Sequence, residues 1–230
     1  MARPGMRTVW DAAAASEEVE RYVGARATGR SELESLFGRL GADPRKGTCV
    51  EVGCGFGRMT AALAERFDRV LALDVSPAML GAARAAVSAP NVEFLAISGE
   101  RLDGVENGAA DTLVSYLVLQ HLPARRTILG QLAEFGRVLA PGGEAFVQLP
   151  VLGSGVRPRL WRLVRAAAVP LVSRLSRRLT SRPEYRGYRL TEAELAGGLA
   201  RAGLCAAARD EAVPSPYRFS REVFLRLERA

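Results

Sequence analysis

The chain has 230 residues, of which 48% are hydrophobic and 25% are charged, and its formal net charge is +7. This length suits one well-cored α/β domain, and the sequence contains no internal repeat or low-complexity tract. The longest apolar run of the C-terminal half, residues 166–172, is too short to span a membrane. The three cysteines lack metal-ligand spacing, and no apolar signal segment is present, so we expect reduced thiols and a cytoplasmic protein.

The positive charge is concentrated in one segment. Residues 157–189 contain ten arginines and one acid, Glu184, a local charge of +9, so the remainder of the chain carries 7 − 9 = −2. We interpret residues 153–189 as a basic helical insertion, and three roles remain open for it. It either caps the domain, or closes on an acidic substrate through bidentate arginine pairs, or docks on RNA or anionic lipid.

We treat residues 1–230 as a single domain that begins with a helical lid region, residues 1–41. Within this region, Trp10 either packs on the core or covers a ligand. A second helix is indicated by Leu33, Leu36 and Phe37 at helical spacing, with Ser31 and Glu34 as its expected capping box.

The first predicted strand, residues 49–52, ends in the glycine turn Gly53, Gly55 and Gly57. Glycine accepts positive φ without steric cost, and the missing Cβ lets a ligand lie against the backbone. Glu51 lies at the end of this buried strand, where a carboxylate needs a partner. A cationic ligand would supply one, whereas a pyrophosphate would not.

The second predicted strand, residues 69–74, ends in Asp74. The interval from Gly53 to Asp74 is 21 residues, close to the roughly 20 that separate a nucleotide-binding glycine turn from its ribose-binding carboxylate. Ser76 and Pro77 then predict the N-cap and first position of the next helix.

Three further strands are predicted at residues 91–97, 111–116 and 144–149, and an apolar helical stripe precedes the last of them. Alternating strands and helices predict a parallel sheet covered on both faces, with ligands at the carboxyl ends of the strands. After the insertion, Thr191 and Glu194 indicate a capped helix, and two strands near residues 205–209 and 221–227 close the chain.

Four motifs carry a family resemblance. They are residues 50–57 (VEVGCGFG), 73–80 (LDVSPAML), 110–114 (ADTLV) and 137–143 (RVLAPGG). In this order they resemble the class I S-adenosylmethionine-dependent methyltransferases, especially the subgroup that methylates small molecules, quinone precursors and some RNA bases. The resemblance implies a Rossmann-like, seven-stranded, mostly parallel sheet with an antiparallel last strand, and S-adenosylmethionine as cofactor.

The resemblance also assigns roles to individual residues. It implies that Glu51 and the glycine turn, including Cys54, hold the methionine part, and that Asp74 holds the ribose. It places Val75 and Met79 on either side of the adenine. The residues expected at the adenine edge are Ser98, Gly99 and Glu100. Many relatives carry aspartate at the position of Ser98, so this contact is expected to be weaker here.

Two residues after the fourth strand are further candidates. His121, the only histidine, is either a general base near the substrate entrance or a structural brace of its loop. Tyr116 is expected to form a wall of the cofactor pocket. No metal site is expected.

The sequence therefore favours a methyltransferase that acts on an oxygen, nitrogen or carbon atom of a small molecule, with anionic acceptors among the candidates. Methylation of RNA, lipid or quinone through the basic insertion is one alternative, and a non-catalytic cofactor-binding module is another. A nicotinamide dehydrogenase would share Asp74 and a glycine turn, but it gives no reason for Glu51.

Overall fold

The structure is a computed structural model, and it describes residues 6–15, 25–158, 160, 163–164, 187–214 and 219–230. Eight strands form one sheet within these residues. They are β1 (Thr48–Val52), β2 (Arg69–Asp74), β3 (Val92–Ala96), β4 (Ala110–Ser115), β5 (Leu139–Leu152), β6 (Leu190–Thr191), β7 (Leu204–Pro214) and β8 (Ser220–Arg229).

The sheet order is β3-β2-β1-β4-β5-β8-β7, and the two-residue β6 pairs with β5. Strands β1 to β5 pair in parallel, whereas β8 runs antiparallel to both β5 and β7. The predicted mostly parallel sheet with an antiparallel last strand is therefore confirmed, and β6 is an addition to the seven expected strands.

Six helices with both ends in the described ranges accompany the sheet. They are α1 (Met6–Ala14), α2 (Gly29–Arg39), α3 (Thr60–Ala64), α4 (Pro77–Ala86), α5 (Arg125–Val138) and α6 (Glu192–Arg201), with 3-10 turns at Arg26–Thr28 and Leu119–His121. None of the described helices is long and apolar enough to cross a membrane.

The alternation of side chains along β1 separates the two layers of the core. Val50 and Val52 belong to the cluster that includes α5 and α6, whereas Cys49 packs in the cluster of α2 and α3. Because successive side chains of a strand point to opposite faces, Glu51 shares the face of Cys49. The carboxylate is thereby directed towards α3, the short helix that follows the glycine turn.

Two helix starts show how far local patterns hold. Thr191 and Glu194 form the predicted capping box of α6, with both reciprocal hydrogen bonds present. The predicted box at Ser31 is wrong, because α2 begins two residues earlier, at Gly29, and the Ser31 hydroxyl donates to the Thr28 carbonyl instead. A Cβ at Gly29 would lie 2.0 Å from the Arg58 carbonyl oxygen, so this early start lets α2 approach the backbone beside the glycine turn.

Strand β5 begins earlier than predicted, because Leu139 already pairs with Ala110 before a register shift. Most of the basic insertion, including Trp161, lies outside the described residues. Where it is described, four large apolar side chains are exposed: Val156, Leu160, Leu163 and Val164. Its predicted role stays a prediction.

Candidate functional site

A cleft of about 340 Å³ opens at the carboxyl ends of the first strands. Its volume falls within the range of roughly 300–1,000 Å³ that is typical of small-molecule sites. Twelve of the thirteen predicted site residues line it: Glu51, Gly53, Cys54, Gly55, Asp74, Val75, Met79, Ser98, Gly99, Glu100, Tyr116 and His121. Gly57 is not in this lining. A Cβ there would lie 3.0 Å from Val87 Cγ2 and 3.3 Å from Ala83 Cβ, so Gly57 permits close packing against α4.

The glycine turn leaves room for a ligand at one position in particular. Gly53 and Gly55 adopt positive φ angles of 75° and 54°. A Cβ at Gly53 would lie 2.4 Å from Val118 Cγ2, whereas a Cβ at Gly55 would meet nothing within 4 Å. The backbone at Gly55 therefore borders open space in the cleft, where a bound group can contact it directly.

Glu51 is a buried carboxylate that faces the cleft. It is 5% exposed, and its Oε2 accepts a hydrogen bond of 2.6 Å from the Thr60 hydroxyl. Burial is the main cause that raises the pKa of Glu51 to about 7, and the hydrogen bond from Thr60 opposes the shift. In the described part of the chain no cationic side chain pairs with it. A positively charged ligand would stabilise its ionised form.

Asp74 links the second strand to the glycine turn. Its Oδ2 accepts from the Gly55 amide and its Oδ1 from the Ser76 amide, both at 2.9 Å. Burial raises the pKa of Asp74, while these backbone hydrogen bonds oppose the shift. Each carboxylate oxygen can accept a further hydrogen bond, so Asp74 can brace the turn and still bind two hydroxyl donors.

Val75, Met79 and Gly99 form one side of the cleft. Met79 is 1% exposed, and its amide donates to the Ser76 hydroxyl, the predicted N-cap. Gly99 lies against Val75, because a Cβ at Gly99 would come within 2.9 Å of Val75 Cγ1. The predicted adenine residues are therefore neighbours in space. The exception is the Ser98 side chain, which is exposed and whose hydroxyl donates to Asp103 Oδ2 at 2.6 Å.

His121 and Tyr116 also line the cleft. His121 is 7% exposed, and its Nε2 lies 3.2 Å from Gln120 Nε2. This contact engages His121 Nε2 whichever way the amide is turned, because an amide nitrogen donates and an amide oxygen accepts. Tyr116 lies 5.8 Å below the Arg58 guanidinium, which is also ion-paired with Glu32.

Helix α1, near the N-terminus of the chain, forms part of the lining of the cleft. Met6 and Trp10 line the cavity, and the Trp10 ring meets His121 edge-on at 5.0 Å. Asp11 Oδ1 accepts a hydrogen bond of 2.6 Å from the Ser76 hydroxyl at the start of α4. These contacts favour a covering role for α1, although opening and closing of residues 1–41 stays a prediction.

Sequence reasoning missed several polar residues that belong to the site. Thr60 binds Glu51, and Arg126 and Gln131 on α5 line the cleft. The β1–α3 connection gave a hint of Thr60, since a hydroxyl follows the glycine turn, but no motif marks positions 126 and 131. Among the described residues, no group of three or more His, Cys, Asp or Glu side chains could hold a metal ion.

Comparison with known proteins finds methyltransferases among the relatives of this chain. Residues 50–147 match a family model described as a methyltransferase domain. Over 120 residues the chain is 39% identical to trans-aconitate 2-methyltransferase from Methylobacterium radiotolerans. The matched residues make up 51% of this chain and 44% of that protein. These similarities support a class I S-adenosylmethionine-dependent methyltransferase over the matched residues.

Other relatives of this methyltransferase domain agree. Ubiquinone biosynthesis O-methyltransferase from Nitrosococcus oceani is 31% identical over 99 residues, 42% of this chain and 41% of that protein. The chain thus spans less than half the length of these two curated relatives.

Solved structures extend the likeness of the methyltransferase fold beyond the matched residues. The N-methyltransferase NodS from Bradyrhizobium japonicum, in complex with S-adenosylhomocysteine, has a TM-score of 0.66 at 16% identity and covers 97% of each chain. Geranyl diphosphate C-methyltransferase from Streptomyces coelicolor has a TM-score of 0.66 at 14% identity and covers 98% of this chain and 96% of that one. At these identities the likeness concerns the fold.

Proposed function

We propose that the chain transfers the methyl group of S-adenosylmethionine to a small-molecule acceptor that carries an anionic group. The observation that carries the proposal is the Glu51 carboxylate, which is buried, faces the cleft and has a pKa raised to about 7. A site that keeps such a group without a protein cation is suited to a cationic ligand. Nicotinamide cofactors present a pyrophosphate to the turn instead, which argues against the dehydrogenase alternative.

The cleft residues fit the parts of this cofactor. Glu51 would pair with the methionine ammonium group, the open backbone at Gly55 would lie against the methionine chain, and Asp74 would accept from the two ribose hydroxyls. Val75 and Met79 would enclose the adenine, with Gly99 at its edge. The bound cofactor supplies a methyl group that is already activated on a sulfonium.

The protein's own contribution is alignment and exclusion of water. Trp10 and Met6 on α1 line the cleft, where they would shield bound ligands from solvent. A fixed position for the acceptor is worth up to roughly 7–11 kcal/mol in well-oriented reactions. For His121, the contacts of Nε2 and of the ring favour a brace over a general base. The catalytic role predicted for His121 is therefore the weaker alternative.

The position of Arg126 favours an acceptor that carries an anionic group. It lies in the first turn of α5, whose N-terminus has neither an acidic residue nor a side-chain cap. A cation at this end of a helix is unfavourable by itself, and Arg126 has no ion pair among the described residues while it lines the cleft. By their names, relatives act on trans-aconitate and on geranyl diphosphate, which are both anions.

Transfer of radiolabelled methyl groups tests the proposal. The protein would be incubated with labelled S-adenosylmethionine and a panel of polycarboxylates and prenyl diphosphates, each beside its neutral ester or alcohol. We expect labelled product only from anionic members. Arg126→Gln should raise KM for the acceptor roughly 10-fold or more. Arg125→Gln is the matched control, because Arg125 pairs with Glu194 and is absent from the cleft lining.

Two results would contradict the proposal. Faster methylation of the neutral analogues would remove the anionic acceptor. Cofactor binding without methylation of any acceptor would favour the non-catalytic binding module.

A further inference from the structure

Gln131 is a buried polar residue in the wall of the cleft that the roles described so far do not use. It lies on α5, is 3% exposed and lines the cavity. Its Nε2 donates a hydrogen bond of 3.0 Å to the Gly99 carbonyl. Because a carbonyl only accepts, this bond determines which end of the amide faces Gly99.

The other end of the amide, Gln131 Oε1, is buried and has no hydrogen-bond partner among the described residues. A buried acceptor left without a donor costs roughly 1–3 kcal/mol. Natural proteins keep few such groups, and one in the wall of a binding cleft calls for a donor from the ligand. The ligand group that meets Gln131 is therefore expected to carry an N–H or O–H.

The position of Gln131 indicates which part of the ligand this is. Gly99, its hydrogen-bond partner, lies against Val75, and the nearby Ile97 amide donates to the Asp74 carbonyl at 3.0 Å. Gln131 thus joins the cleft at the ends of β2 and β3, on the side where the proposed function places the purine. An adenine has one exocyclic donor there, its 6-amino group.

Ser98, the residue expected at this edge from sequence, is engaged elsewhere. Both its amide and its hydroxyl donate to Asp103 Oδ2, at 2.8 and 2.6 Å. The amides of Glu100 and Arg101 approach the Ser98 hydroxyl oxygen at 3.4 Å. The Ser98 hydroxyl therefore stabilises its own turn. The acceptor without a donor on the purine side of the cleft is Gln131 Oε1 on α5.

We propose that Gln131 Oε1 accepts a hydrogen bond from the adenine 6-amino group and makes the site selective for 6-aminopurine over 6-oxopurine cofactors. The inference rests on the proposed function. A 6-oxo group would bring a second acceptor against Gln131 Oε1, which would leave both oxygens without a donor.

Calorimetric titration with S-adenosylhomocysteine and with its deaminated analogue S-inosylhomocysteine tests this selectivity. We expect the wild type to prefer the adenosyl compound by roughly 10-fold or more. Gln131→Met keeps a side chain of similar length without the acceptor, so it should weaken adenosyl binding about 10-fold, leave inosyl binding nearly unchanged and abolish the preference. Ser98→Ala is the matched control and should keep the preference.

The ratio of the two affinities separates the outcomes. Loss of the Gly99 hydrogen bond in Gln131→Met would affect both ligands alike, so it cancels in the ratio. Equal affinities in the wild type, or an unchanged ratio in Gln131→Met, would overturn the inference while S-adenosylhomocysteine still binds. Failure of the wild type to bind either compound would instead overturn the proposed function, and this inference with it.

Discussion

Glu51→Gln should make the protein more stable and its cofactor binding weaker. The substitution keeps the shape of the side chain and its contact with Thr60, but it removes the ionisable group. If Glu51 is retained for a cationic ligand, its charge costs stability in the free protein and contributes affinity in the complex. A buried glutamate without a role in ligand binding would show the gain in stability but not the loss of affinity.

The stability change follows from the raised pKa of Glu51. The pKa moves from 4.5 to about 7, a difference of about 2.5, and each pKa unit corresponds to 1.36 kcal/mol. The folded state holds this proton more tightly, so stability from this group is complete below pH 4.5 and falls as the pH rises to 7. At pH 8 the loss is about 3 kcal/mol, and Glu51→Gln should recover up to this amount.

Thermal unfolding and calorimetry measure the two effects. A gain of 3 kcal/mol should raise Tm by roughly 6–12 °C at pH 8 for a chain of this size, and the difference should shrink towards pH 5. Binding of S-adenosylhomocysteine should weaken roughly 10- to 150-fold, the range for a lost hydrogen bond to a charged group.

Glu93→Gln is the control for removing a surface carboxylate. Glu93 pairs with Arg69 at the protein surface, so its removal should change stability by less than about 1 kcal/mol and leave binding unchanged. Unaltered cofactor affinity in Glu51→Gln, or a lower Tm at pH 8, would refute the reasoning about Glu51.

Three further expectations concern the same cleft. Asp74→Ala should weaken S-adenosylhomocysteine binding by roughly 1.5–3 kcal/mol in calorimetry, and an unchanged Kd would disprove its ribose contact. In the wild type, binding of a cationic ligand requires ionised Glu51. As the pH rises towards 7, Kd should therefore fall by up to about tenfold per pH unit, and above pH 7 it should level off; a Kd that does not change with pH would argue against this pairing. His121→Asn should weaken cofactor binding several-fold with a smaller change in kcat, whereas a loss of about 100-fold or more in kcat alone would identify a general base.

Local sequence signals predicted most of the sheet and the turn. The strand ends at Glu51 and Asp74 carry acids where a buried strand has no other reason for them, and Ser76 and Pro77 specify a helix start that the structure confirms. These features depend on neighbouring residues only. Twelve of the thirteen predicted residues meet in one cleft because parallel strands bring their carboxyl ends to one edge of the sheet.

The remaining features depend on contacts between distant segments. Gln131 meets Gly99 across 32 positions, and Asp11 meets Ser76 across 65, so no periodicity of either segment reveals them. The Ser31 motif failed because Gly29 allows α2 to begin earlier against Arg58, a packing effect that outweighs a local cap. Gly57 likewise serves packing against α4, although its spacing resembles that of a ligand-binding glycine.

The most direct test of the account is calorimetric titration of the protein with S-adenosylhomocysteine, with NAD titrated in parallel. The account predicts binding in the micromolar range for S-adenosylhomocysteine and none for NAD. Binding of NAD alone, or of neither compound, would contradict it.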